Sequence, residues 1–300
     1  MPFLQLTVDL GRRDPEAFEE TLFALGASAV TLLDAADDPV LEPGPGETPL
    51  WPTVRIRSLF EAGVDPAALE AALRAAGLGA LPPLQFETVA DRAWEREWLK
   101  DFHPMRFGRR LWVCPGGLPA GEDGAVRVEL DPGLAFGTGT HPTTAMCLVW
   151  LDELAGDGTL AGARLIDYGC GSGILAVAAL KLGADCVIAV DIDAQALLAT
   201  RENADRNGVL DRVQTTAEPP AGAATTNLIV ANILAGPLTE LAPTLAALLA
   251  PGGRLALSGL LEDQAAAVAA AYAAWFDIGV HATRDGWALL SGCRRANLAP

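Results

Sequence analysis

The spacing of hydrophobic positions changes character along this chain. Over the first 90 residues, strand-like alternation and helix-like spacing take turns. Phe3–Asp9 alternates apolar and polar side chains, which gives a strand with one buried face. Asp14-Pro15 opens a predicted helix, Glu16–Leu25, closed by Gly26. Ala29–Leu33 is a short β-rich run, and Glu42-Pro-Gly-Pro-Gly-Glu47 reads as a loop. Thr53–Phe60 alternates again, Asp65-Pro66 starts a second helix ending near Gly77, and Leu84–Val89 is a last strand. The order β-α-β-β-α-β is that of a ferredoxin-like domain.

Trp94, Trp98 and Phe102 follow at i, i+4 and i+8 and line one face of a short helix. His103-Pro104 ends it, because a residue before proline avoids the α region. Residues 91–104 therefore read as a linker helix. Beyond it, Arg110–Cys114 and Ala125–Leu130 are strand candidates, followed by a helix from Pro142 to Ala155. Thr140 ahead of His141-Pro142 reads as that helix's start, with Pro142 near the first helical position. Strand, glycine turn and helix then repeat. The strands are Arg164–Asp167, Cys186–Val190, Val213–Thr216, Asn227–Ala231 and Arg254–Ser258; the helices are Ile174–Leu182, Ala194–Asn207, Leu238–Leu249 and Asp263–Trp275. A hairpin-like pair, Asp277–Thr283 and Trp287–Cys293, closes the chain. Near-continuous apolar strands between helices indicate a parallel sheet covered on both faces. The expected fold class is thus α/β: a doubly wound, Rossmann-like domain over residues 105–300, preceded by a small ferredoxin-like α+β domain over 1–90.

Composition narrows this little. With 300 residues, 51% of them hydrophobic and 20% charged, the chain suits two modest domains with filled cores. No apolar stretch is long enough to span a bilayer, and Met1-Pro2-Phe3-Leu4-Gln5-Leu6 has no basic segment ahead of an apolar one, so a cytoplasmic protein is expected. Five scattered cysteines and three scattered histidines give neither a zinc pattern nor a disulfide framework; buried, reduced thiols are expected, and no metal. Charge changes the picture more. Residues 1–90 hold fourteen acids and five bases, over half of the net charge of −17. Such a surface repels phosphates and attracts a basic partner, although it also serves solubility alone.

The strongest chemical signal is Asp167-Tyr-Gly169-Cys-Gly171-Ser-Gly173-Ile-Leu at a strand-to-helix turn. Glycines there let the backbone approach a ligand, and the helix N-terminus offers free amides at the switch point of an open sheet. Asp191 ends the next strand, where a carboxylate can accept hydrogen bonds from both hydroxyls of a ribose. Asp193 reads as the cap of the helix that follows. A nicotinamide dinucleotide would call for Gly-x-Gly-x-x-Gly, but the position three after Gly171 is Ile174. The spacing Gly-x-Gly-x-Gly is instead the form used by S-adenosylmethionine enzymes of this class. Asn232, at the tip of the fourth strand, could accept hydrogens from an incoming amine and aim its lone pair at the sulfonium. The segment 131–144 reads as a loop closing over the cofactor, with Thr144 facing its methionine part.

Taken with Phe102-His-Pro-Met-Arg-Phe-Gly, the loop Leu130-Asp-Pro-Gly-Leu-Ala-Phe-Gly-Thr-Gly-Thr-His-Pro-Thr-Thr144 and Ala231-Asn-Ile-Leu-Ala-Gly-Pro, the glycine turn gives a sequence that resembles the bacterial methyltransferases of ribosomal large-subunit protein eleven. The resemblance spans essentially the whole chain. It implies a class I methyltransferase that takes methyl groups from S-adenosylmethionine and adds them to lysine side chains and the α-amino group of that protein, up to the trimethylated state. It further implies a substrate-gripping N-terminal domain and a mobile connector. By position, the cofactor contacts are Thr144, Gly169, Gly171, Asp191 and Asn232, with Asn232 also catalytic. Relatives acting on glutamine or adenine carry an aromatic residue after Asn/Asp-Pro-Pro; here Ile233-Leu234-Ala235 stands there, so a flat amide or base finds no stacking partner. Neither Asp131 nor His141 makes a convincing proton acceptor, and proton loss to solvent is simpler. The remaining expectations are a monomer, no membrane or direct nucleic-acid contact, and a preference for the free ribosomal protein. A methyltransferase for another protein or for a small amine is the alternative.

Overall fold

The computed structural model describes residues 3–36, 51–89, 103–116, 118, 124–130, 139–220 and 226–296. The chain divides into two compact units, Met1–Glu97 and Trp98–Pro300. The expected linker helix lies outside the described residues as far as Phe102, as does the segment 131–138 of the expected cofactor loop.

In the first unit the elements are β1 (Phe3–Gly11), α1 (Glu16–Ala24), β2 (Ala29–Asp34), β3 (Val54–Glu61), α2 (Pro66–Ala75) and β4 (Leu84–Val89). The sheet order is β2-β3-β1-β4, with every neighbouring pair antiparallel. Alternation dictates the core: Leu4, Leu6, Val8 and Leu10 of β1 share one face with Ile56 and Phe60 of β3. Phe18 and Leu22 of α1, and Leu69 and Leu73 of α2, are spaced by one turn and close over that face. Asp65 caps α2 by accepting the Ala67 N–H at 3.0 Å. On the opposite face, Asp9 and Arg55 stand across from each other in register and form an ion pair.

In the second unit a three-stranded sheet comes first: β5 (Met105–Phe107), β6 (Leu111–Pro115) and β7 (Val126–Leu130). Next come α3 (Pro142–Gly156), β8 (Arg164–Tyr168), α4 (Ile174–Leu182), β9 (Cys186–Val190), α5 (Ala194–Arg206), β10 (Val213–Thr216) and β11 (Thr226–Asn232). The chain ends with α6 (Ala235–Glu240), α7 (Ala242–Leu248), β12 (Leu249–Leu261), α8 (Ala265–Tyr272), β13 (Phe276–Arg284) and β14 (Trp287–Arg294). The large sheet has the order β10-β9-β8-β11-β12-β14-β13; β8 through β12 pair in parallel and β14 runs antiparallel to both its neighbours. This is a doubly wound α/β fold with a mixed sheet. Its central strands are buried on both faces, by α3 and α4 on one side and by α6, α7 and α8 on the other. The order reverses between β8 and β11, so the carboxyl ends of these two strands flank the crevice where such sheets bind ligands.

Several elements depart from the expectation. β5 was not expected: three residues are too few to show alternation. The single helix Leu238–Leu249 is two, α6 and α7, because Pro243 stands in the first turn of a new helix. β12 extends well before Arg254, and its register with β11 jumps from Thr226↔Leu249 to Leu228↔Arg254 around Pro251-Gly252-Gly253. The cap of α3 is His141 rather than Thr140. Of the thiols, Cys114, Cys147 and Cys170 are buried as expected, while Cys186 is half-buried and Cys293 exposed. Two polar clamps fix the small sheet: Asp152 of α3 accepts the Arg109 and Arg110 N–H groups at 2.6 and 3.2 Å, and Asn207 pairs with both backbone groups of Glu129.

Candidate active site at the carboxyl edge of the parallel sheet

The glycine turn is held from two sides. The Val190 carbonyl accepts the N–H groups of Gly169 and Cys170 at 2.7 and 3.1 Å, and the Asp191 carboxylate accepts that of Gly171 at 2.9 Å. Gly169, Gly171 and Gly173 all have positive φ, and at Gly169 a Cβ would overlap the Ile233 side chain. Thr200 reaches over from α5, and its hydroxyl donates to the Gly171 carbonyl at 3.0 Å. The result is a rigid backbone cradle at the N-terminus of α4.

Asp191 immediately follows β9, at the strand tip. Its second oxygen accepts the Asp193 N–H at 3.0 Å, and Asp193 in turn caps α5 through Gln195 N at 2.9 Å. Each carboxylate oxygen thus holds one backbone donor and keeps a further lone pair for a ligand hydroxyl. Ile192, between the two aspartates, is 96% exposed. This leaves an exposed apolar face beside the Asp191 carboxylate; only its isolation between two acids marks it in the sequence.

Asn232 is the last residue of β11, and its amide nitrogen donates to the Thr144 hydroxyl at 3.1 Å. Thr144 is buried in the first turn of α3. The pairing engages one N–H of the Asn232 amide, so the amide oxygen is the end that takes no part in that bond. The turn after Asn232 is wedged in place: Ile233 N donates to the Ser258 carbonyl at 3.1 Å, and Ile233 sits between Gly169 and Gly259. At Gly259, φ +88°, a Cβ would run into the backbone of Ile233. This glycine carries no motif, so the sequence gives it no prominence. Thr144, Gly169, Gly171, Asp191 and Asn232, expected to act together, lie on adjoining elements at one edge of the sheet.

Several ionisable groups near this edge are perturbed. Asp167 is fully buried, and burial pushes its carboxyl up to about 7, opposed by the Ala176 N–H at 3.0 Å and reinforced by the charge of Asp191. Its other oxygen has no hydrogen-bond partner. His141 is held below the ordinary histidine value by burial. Its Nδ1 faces the Thr143 hydroxyl at 2.7 Å and accepts the Thr143 N–H at 3.4 Å, so the basic nitrogen is spent on capping α3. Burial also pushes Cys170 up to about 12, which leaves no thiolate nucleophile in the turn. Two further residues frame the edge: Met105 and Phe107 of β5 lie against the space beside Gly139, together with Ile174. Among the described residues no cluster of His, Cys, Asp or Glu could hold a metal ion.

Residues 2–295 match the family model described as ribosomal protein L11 methyltransferase (PrmA). A ribosomal protein L11 methyltransferase of Pseudomonas aeruginosa strain LESB58 is 51% identical over 300 residues, covering 99% of this chain and 100% of the relative. One from Azotobacter vinelandii is 52% identical over 297 residues, covering 98% and 100%. The crystal structure of ribosomal protein L11 methylase from Lactobacillus delbrueckii subsp. bulgaricus shares 33% identity with a TM-score of 0.57, over 65% of this chain and 100% of that one.

Proposed function

The chain belongs to the ribosomal protein L11 methyltransferase family, and from that premise we propose that the carboxyl edge of its sheet transfers methyl groups from S-adenosylmethionine to amino groups of ribosomal protein L11, lysine side chains and the N-terminus included, up to three per nitrogen. The observation that carries this reading is the joint arrangement of Asp191, locked onto the glycine turn, and Asn232, locked onto Thr144. The chain's residues fit the donor: a backbone cradle that a Cβ would fill, a carboxylate with lone pairs to spare and an exposed apolar face at Ile192.

When bound, the donor supplies a methyl group already activated by a sulfonium leaving group. The protein's share is placement. Gly169 and Gly171 bring backbone close, Asp191 takes the ribose hydroxyls, and Thr144 holds Asn232 so that its oxygen orients the amine. Alignment of this kind supplies much of the rate in a simple displacement. The amine arrives neutral, its proton lost to solvent; the capping role of His141 supports this, since its basic nitrogen is engaged.

We assign the N-terminal unit to the ferredoxin-like class, supported by its element order and its β2-β3-β1-β4 sheet. We keep a recognition domain (1–90), a linker (91–104) and a catalytic domain (105–300) as the proposed division, beside the compact units Met1–Glu97 and Trp98–Pro300. Its acidity suits capture of a basic ribosomal protein in free form, away from RNA phosphates. No helix among the described residues is long and apolar enough to cross a membrane. The test is a mass spectrum of unmodified L11 after incubation with this enzyme and S-adenosylmethionine. Gains in steps of one methyl, absent with Asp191→Ala, are expected; no gain despite cofactor binding would move the search to another substrate.

A further inference from the structure

Residues 233–235 after Asn232 carry no aromatic side chain, yet an aromatic pair stands a helical turn away. His141 and Trp287 meet edge to face, with ring centroids 4.8 Å apart and planes at 71°. His141 caps α3, and its carbonyl accepts the Ala145 N–H at 3.0 Å, so Thr144, the partner of Asn232, lies one turn further along the same helix. Trp287 reaches the same edge from the other direction. Asn232 stands opposite Ser258 in the sheet, and the Ser258 hydroxyl donates to the Ala288 carbonyl at 3.1 Å. Trp287 is the next residue, opposite Leu261. Both rings are half-buried.

A nitrogen that already carries methyl groups poses a problem that Asn232 cannot solve. Each methyl removes an N–H that the Asn232 oxygen could accept and adds apolar volume, and the neutral nitrogen becomes a diffuse alkylammonium cation as it takes the next methyl. An aromatic face is the surface that takes such a group, because its quadrupole attracts alkylammonium cations and its carbons pack against methyls. We propose that Trp287, braced by His141, is the specificity-determining residue for amines already methylated, and so sets how far successive methylation runs. The inference rests on the amine reading above. Unmethylated lysine depends on Asn232 alone, whereas the second and third transfers depend on Trp287 as well.

The test follows methylation of L11 by mass spectrometry, resolving singly, doubly and triply methylated sites, for the parent enzyme, Trp287→Leu and Trp287→Phe. In Trp287→Leu the first transfer is expected within a few-fold of the parent, while later transfers fall roughly tenfold, the scale of a lost cation–π contact. Trp287→Phe is expected to restore most of the later steps. A merely structural role would slow every step alike, and an unchanged ratio of later to first steps overturns the inference. Calorimetry gives a second readout without turnover: the parent is expected to bind Nε-trimethyllysine amide more tightly than lysine amide, and Trp287→Leu to lose that preference. Equal binding of the two by the parent overturns it. A parent that methylates no amine of L11 would overturn the amine reading itself.

Discussion

At the scale of single residues, the site is set by what its glycines and its buried carboxylate permit. Gly259 has positive φ and meets the backbone of Ile233, so Gly259→Ala combines strain of ~1–3 kcal/mol with a shift of the Asn232 turn. Its kcat is expected to fall by on the order of a hundredfold, the penalty for misplacing a reacting group, with cofactor affinity near the parent's. A kinetic assay paired with a binding titration checks both halves. Asp167 gives the pH dependence. Its carboxyl is raised to about 7, so between the ordinary carboxylate pKa and that value the folded chain binds more protons than the unfolded one. Stability contributed by this group is therefore present at low pH and lost as pH rises through about 7. The thermal midpoint is expected to drop between about pH 5 and pH 8, and to drop less in Asp167→Asn. Equal drops in the two proteins would show that Asp167 titrates normally.

Elements explain which parts of the sequence could be read directly. Periodicity finds strands and helices that bury one face or all faces, and the glycine turn, the Asp191 strand tip and the Asn232 strand end lie between elements of that kind. Asp193 could be recognised as a cap because a short acid before an apolar-spaced run has one obvious use. Other features leave weaker marks. β5 is too short for a period, although it places Met105 and Phe107 beside Gly139. The break between α6 and α7 is masked because Leu238, Leu241, Leu245 and Leu248 keep helical spacing across it. The roles proposed for Ile192 and Trp287 depend on position alone, and a position beside another chain segment has no local signature. His141 took the capping role expected of Thr140, since imidazole Nδ1 can accept an N–H as a hydroxyl does. Replacing His141 with Ala is thus expected to destabilise the protein by about 1 kcal/mol, the worth of a helix cap, while both limbs of the pH–rate profile persist. A limb lost in the mutant would make His141 the proton acceptor.

For the whole molecule, the proposed encounter with substrate turns on charge. The first 90 residues carry fourteen acids against five bases, and the expected partner is basic. Raising salt from about 0.01 to 0.1 M shortens the screening length from roughly 30 to 10 Å, so kcat/KM for free L11 is expected to fall several-fold while kcat holds. The same field repels RNA, and L11 within the assembled ribosome is expected to be the poorer substrate at equal concentration. Equal rates on the two forms would remove the recognition role from this charge. The central claim is that one edge of the sheet divides its labour, with Asp191 holding the donor and Asn232 aiming the amine. The most direct test measures S-adenosylmethionine affinity and the single-turnover rate of L11 methylation side by side in Asp191→Ala and Asn232→Ala. Asp191→Ala is expected to weaken binding by on the order of a hundredfold through lost charge-assisted hydrogen bonds. Asn232→Ala is expected to keep binding within about tenfold of the parent and lose roughly a hundredfold in rate. Parent-like binding in the first together with a parent-like rate in the second would contradict the account.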